Sequence, residues 1–188
     1  MIEEIPQLNN FELIKSNLKK QIEMAQSEVL TLEELQTIEQ KINNLENLYF
    51  DKKVSEEDFK KEIGQLYFER NRAGIVNLST LSEFHEALKL CNIDDETIKK
   101  VLAHENAHSS MAESLEVENN YKIRFVELAD GRIGFIPSVE FGYPLNATPE
   151  QKREINQKIT NAPEILSNRD KQRLDIEVSK DEPDIFQK

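Results

Sequence analysis

Along the first part of the chain, apolar residues return every three or four positions. Phe11, Ile14, Leu18, Ile22, Ala25 and Val29 form one such series, Leu35, Ile38, Ile42, Leu45 and Tyr49 a second, and Phe59, Ile63 and Leu66 a third. This period puts each series on one face of a helix, so the stretch predicts three amphipathic helices. Asn10 and Thr31 are residues able to cap a helix start. Ser55 precedes Glu56, Glu57 and Asp58, an N-cap followed by acidic residues that suit the positive end of the helix dipole, and Gly74 is a natural stop.

The second half changes pattern twice. A fourth helix is predicted over residues 80–91, and Asp94, Asp95 and Glu96 open a fifth that runs to about Leu115, closed by Asn119 and Asn120. From Tyr121 the period drops to two, with Tyr121, Ile123 and Phe125 alternating against Lys122 and Arg124. The Asp130-Gly131 turn then leads into RIGFIPSVEF, which predicts a β-hairpin. Thr148, Pro149 and Gln151 combine an N-cap, a proline at the first helical position and a capping box, so a helix to about Thr160 follows. A weaker helix is expected over residues 164–177.

The expected fold class is therefore α+β, mostly α, with a helical N-terminal half, a central helix, one hairpin and C-terminal helices. Residues 1–74 are expected as a helical hairpin or three-helix segment and residues 75–178 as the remainder. Residues 179–188, charged and without periodicity, are expected as a disordered tail.

Charge removes several function classes. Lys and Arg number 24 against 36 Asp and Glu, a formal charge of −12 that repels phosphate backbones and anionic lipid surfaces, so neither nucleic acid nor membrane is an expected partner. No run approaches the roughly 20 apolar residues of a membrane span. The start MIEEIPQLNN carries acidic residues where a secretory signal would be basic, so the expected location is the cytoplasm. The single cysteine, Cys91 in LKLCN, reads as a core residue on an apolar helix face. Five glycines and the absence of any phosphate-loop, dinucleotide or nucleophile-elbow motif leave nucleotide and serine-hydrolase chemistry without support.

The predicted fifth helix holds two of the three histidines, in VLAHENAHSSMAESLEV. Residues four apart on a helix differ by about 40° around its axis, so His104 and His108 project from one face, one turn apart, a spacing that suits two ligands on one Zn²⁺. They share that face with Val101, Met111, Ala112 and Leu115, so both imidazoles are expected to point inward, where their nitrogens need partners. Glu105 lies about 100° around from His104, off the ligand line but within reach of a water beside a metal. Glu113 faces away.

The stretch His104-Glu105-Asn106-Ala107-His108 resembles the H-E-x-x-H signature of the zincin metallopeptidases, and Val101 and the uncharged Asn106 and Ala107 fit the same pattern. The resemblance implies zinc held by His104 and His108, Glu105 as general base, and hydrolysis of a peptide bond in a peptide or protein substrate. The gluzincin branch takes its third ligand, a glutamate, from a later element. Glu127 on the first hairpin strand is the first choice, Glu140 on the second strand the next, and His85 on the preceding helix gives a three-histidine alternative. A di-iron bundle site is not expected, because it needs a second E-x-x-H.

The apolar seams of the N-terminal helices support a second expectation of another class. They suit a coiled-coil-like, non-catalytic interaction module that self-associates through these helices, with the histidines in its core or on a structural metal.

Overall fold

The computed structural model describes residues 10–174 and the backbone of residues 186–187. Three predicted helices open it: α1 (Asn10–Ser27), α2 (Leu32–Phe50) and α3 (Glu56–Asn71). Thr31 caps α2 in a reciprocal box with Glu34, and the Ser55 side chain accepts from the backbone N–H of Asp58 to start α3. Helix α4 (Leu81–Leu90) is capped by Thr80 and α5 (Asp95–Ser114) by Asp94, and α6 (Pro149–Thr160) carries the predicted capping box of Thr148 and Gln151. Helix α7 (Asn168–Arg173) is shorter than the predicted 164–177.

The hairpin is β3 (Asn119–Glu127) and β4 (Ile133–Phe141), antiparallel in a register that sets Tyr121 opposite Val139 and Phe125 opposite Phe135. Three short strands that periodicity did not predict extend it. On the outer edge of β3, β2 (Ile75–Leu78) pairs antiparallel with residues 121–124, and β1 (Leu30–Thr31) pairs parallel with Val126 and Glu127. The backbone of β5 (Phe186–Gln187) pairs with Gly134 and Phe135 on β4. The rest of the tail expected to be disordered lies outside the described residues. The fold is α+β and mostly α, as the pattern predicted.

Both faces of the hairpin are covered. Tyr121, Ile123, Phe125, Phe135 and Val139 pack against Leu18, Ile22 and Ala25 of α1, Phe84 and Leu88 of α4, and Ile98 and Val101 of α5. On the opposite face Leu35 of α2 packs on Val126 and Ile136. The core therefore runs across residue 74, the boundary expected between two segments. Lys122 and Arg124, the polar half of the β3 alternation, lie under this second layer and are only 5% and 4% exposed.

Candidate metal centre

The helix that carries HENAH packs against β3, β4 and α6, and His108 reaches Ile159 at the end of α6 while both histidines reach Asp170 of α7. Ring nitrogens decide what these histidines can do. His108 Nδ1 lies 2.7 Å from the carbonyl oxygen of Ile159, at the end of α6. A carbonyl only accepts, so Nδ1 carries the proton and Nε2 of the neutral ring presents a lone pair. The backbone of Ile165 also favours the charged form of His104. Its Nε2 faces that of His108 at 3.3 Å.

The third member of the cluster is Asp170. Its carboxylate reaches both histidines, with Oδ2 at 3.1 Å from His104 Nε2 and Oδ1 at 3.3 Å from His108 Nε2. Helix α7 holds it there through its capping box: Asp170 Oδ2 accepts from the backbone N–H and the hydroxyl of Ser167, at 2.9 and 2.7 Å. Burial acts to raise the Asp170 pKa. The hydrogen bonds from His104, His108 and Ser167 and the charge of His108 outweigh it and hold the carboxyl far below the usual range.

Glu105 lines the same pocket and is 6% exposed. Burial pushes its carboxyl up, against the pull of His108 and His104. His104 moves upward as well: burial opposes its charging, but the bond to Asp170 and the charges of Glu105 and Asp170 prevail.

The structure brings His104, His108 and Glu105 together and places the other sequence candidates elsewhere. Among the described residues, the group able to hold a metal is His104, His108 and Asp170, with ligand atoms within 4.8 Å of one another. Glu127, the first choice for third ligand, is exposed at the far end of β3 beside β1, and it does not line the pocket. Glu140 does line it, but its two oxygens are taken by Arg70 and Lys122. His85 sits on α4 and does not line the pocket. The missed residue had a signal: Ser167-Asn168-Arg169-Asp170 is an S-x-x-D capping box, and it marked a helix start rather than a ligand.

Two imidazole Nε2 atoms and a carboxylate converge on one point, where their lone pairs would repel without a cation between them. A proton shared with Asp170 can fill that role, and so can a metal. In a tetrahedral zinc site with bonds of roughly 2.0–2.1 Å, neighbouring ligand atoms lie about 3.3 Å apart; the two Nε2 atoms are 3.3 Å apart, Asp170 meets them with different oxygens, and one ligand atom from each of the three residues lies within 4.8 Å of the others. The backbone bond on the far nitrogen of His108 is the outer support that metal-ligating histidines ordinarily have. No family model, curated protein or solved structure matches this chain.

Proposed function

We propose that the protein is a zinc-dependent hydrolase, with His104, His108 and Asp170 as metal ligands and Glu105 as general base. The observation that carries the reading is the convergence of the two Nε2 atoms, 3.3 Å apart, and the Asp170 carboxylate, whose Oδ2 and Oδ1 lie 3.1 Å from His104 and 3.3 Å from His108, with His108 fixed from behind by Ile159. Two histidines and one carboxylate are a common donor set for a catalytic zinc, which keeps a further position open.

Zinc bound there would acidify a water and polarise a carbonyl. Glu105 supplies the proton acceptor. Burial raises its carboxyl above the usual carboxylate range, so it holds a proton more readily than an exposed glutamate, as a group that takes a proton from water and returns it to a leaving group must. Asp170 stays ionised and, through Ser167, stays oriented. The substrate class supported by the H-E-x-x-H resemblance is an amide, such as a peptide bond.

Metal analysis of the purified full chain tests this. Wild type is expected to hold one zinc and to show a tetrahedral visible spectrum after cobalt exchange. Asp170→Ala and His108→Ala should each weaken metal affinity by about a hundredfold or more, beyond what loss of a supporting hydrogen bond does, whereas Glu127→Gln should leave it unchanged. Glu105→Gln should keep the metal and lose hydrolysis of a mixed peptide pool. Absence of zinc from wild type, or equal zinc in the Asp170 variant, overturns the site; full activity in Glu105→Gln removes Glu105 as base.

A further inference from the structure

The wall of the pocket next to the metal cluster is built from cations. Arg70 of α3 and Lys122 of β3 both pair with one carboxylate, Arg70 with Oε1 and Lys122 with Oε2 of Glu140. Arg169 of α7 pairs with Glu39 of α2. Arg124, two positions along β3 from Lys122 on the same face, has only neutral hydrogen-bond acceptors. It donates to the carbonyl of Ala73 at 3.3 Å and to Oδ1 of Asn71 at 3.2 Å, and among the described residues no carboxylate lies within ion-pair distance.

In the pocket lining five cationic side chains, Arg70, Lys122, Arg124, Arg169 and Arg173, face four carboxylates, Glu39, Glu105, Glu140 and Asp170, in a chain whose formal charge is −12. Burying a charge without a counter-charge is costly. Arg124 shows it: burial, and then the charge of Arg70, pull its guanidinium down to about 10. Glu39 and Glu140 act on it only from beyond ion-pair distance and do not offset that pull. A bound anion would supply the close counter-charge that these two carboxylates do not.

We propose that this wall binds an oxyanion, a phosphate or carboxylate group carried by the substrate, with Arg124 as its main partner and Arg70 and Lys122 alongside. A guanidinium presents a planar fork of donors that matches two oxygens of such a group. The cavity that Arg124 shares with the histidines has a volume of about 90 Å³. That is room for a head group, well short of the roughly 300 Å³ of a site that encloses a drug-sized ligand, so the remainder of the substrate extends out of the pocket. The assignment of the anion to a substrate rests on the hydrolase reading; anion binding itself does not.

Titration calorimetry of the full chain, stripped with EDTA and at low ionic strength, tests it with two probes, inorganic phosphate and acetate. Saturable one-site binding of either is expected, and which of the two binds more tightly identifies the group. Arg124→Gln should weaken that binding by about tenfold or more, as loss of a charged hydrogen bond does. Arg70→Gln, which leaves Glu140 its Lys122 partner, should weaken it too and serves if the Arg124 variant does not fold. Failure of both probes to bind, or unchanged affinity in both variants, overturns the proposal. Anion binding that persists in a wild-type protein unable to take up zinc keeps this inference and removes the metal reading.

Discussion

At the scale of single residues, one carboxylate can serve two structures at once. Asp170 closes the capping box of α7 through Oδ2 and contacts both histidines with its two oxygens, so its place in the cluster is set by local helix-start geometry. Glu140 likewise joins two cations from different elements, Arg70 of α3 and Lys122 of β3. Burial acts to raise the Glu140 pKa, but the hydrogen bond from Lys122 and the charges of Arg70 and Lys122 hold it below the ordinary 4.5. A carboxyl depressed in the folded state contributes stability that is fully present above its unfolded value and lost as pH falls through the folded one. On acidification from neutral pH to about pH 3, wild type should therefore lose more of its thermal stability than Glu140→Gln, which starts lower. Melting curves that fall in parallel with pH would show that the Glu140 contacts do not couple to folding.

At the scale of elements, the helices from α2 to α6 were legible because each carries a period and a cap, and the short strands were not because neither signal fits in two to four residues. The run Ile75–Leu78 became a strand only because β3 offered an open edge, a condition set by tertiary structure. Gly74 shows what the join requires. Its φ is +72°, its carbonyl accepts from the Phe125 N–H at 2.6 Å, and a Cβ built there would meet the Phe125 carbonyl oxygen at 2.5 Å. The sequence suggested a helix stop at this position; the structure adds a backbone crossing where β2 meets β3. Gly74→Ala should cost about 1–3 kcal/mol, with a melting temperature lower by roughly 2–4 °C for each kcal/mol in a chain of this size. Gly64→Ala, mid-helix with open space around its Cβ, should be neutral or stabilising by up to about 1 kcal/mol. Equal melting temperatures for the two variants would refute the crossing.

The candidate site was half legible for a related reason. His104, Glu105 and His108 share one helix, so helical projection alone brought them together and turned the two histidines inward; that Glu105 is buried as well comes from the fold. Asp170, Arg70 and Arg124 come from three other elements, and no local period reports which distant side chains a fold will gather. The alternation of β3 marked Lys122 and Arg124 as one face of a strand, but only the second helical layer made that face a pocket wall.

At the scale of the whole molecule, the N-terminal helices are part of the site's foundation. Leu18, Ile22 and Ala25 of α1 complete the core on one side of the sheet, Leu35 of α2 seals Val126 and Ile136 on the other, and Glu39 and Arg70 line the pocket. A hairpin with its faces uncovered exposes Phe125, Val126, Ile136 and Phe135, all of them buried in the intact chain, and two-stranded units without a packed face are marginal in water. A fragment of residues 75–188 should therefore show no cooperative unfolding transition by circular dichroism. Leu35→Ala in the full chain probes the same dependence more gently. The side chain is 1% exposed, so its removal should cost about 2–5 kcal/mol while leaving secondary structure in place. A fragment that melts cooperatively and takes up zinc as the full chain does would instead make residues 1–74 a separate module, and would return the apolar seams of α1, α2 and α3 to the role of a surface for partners.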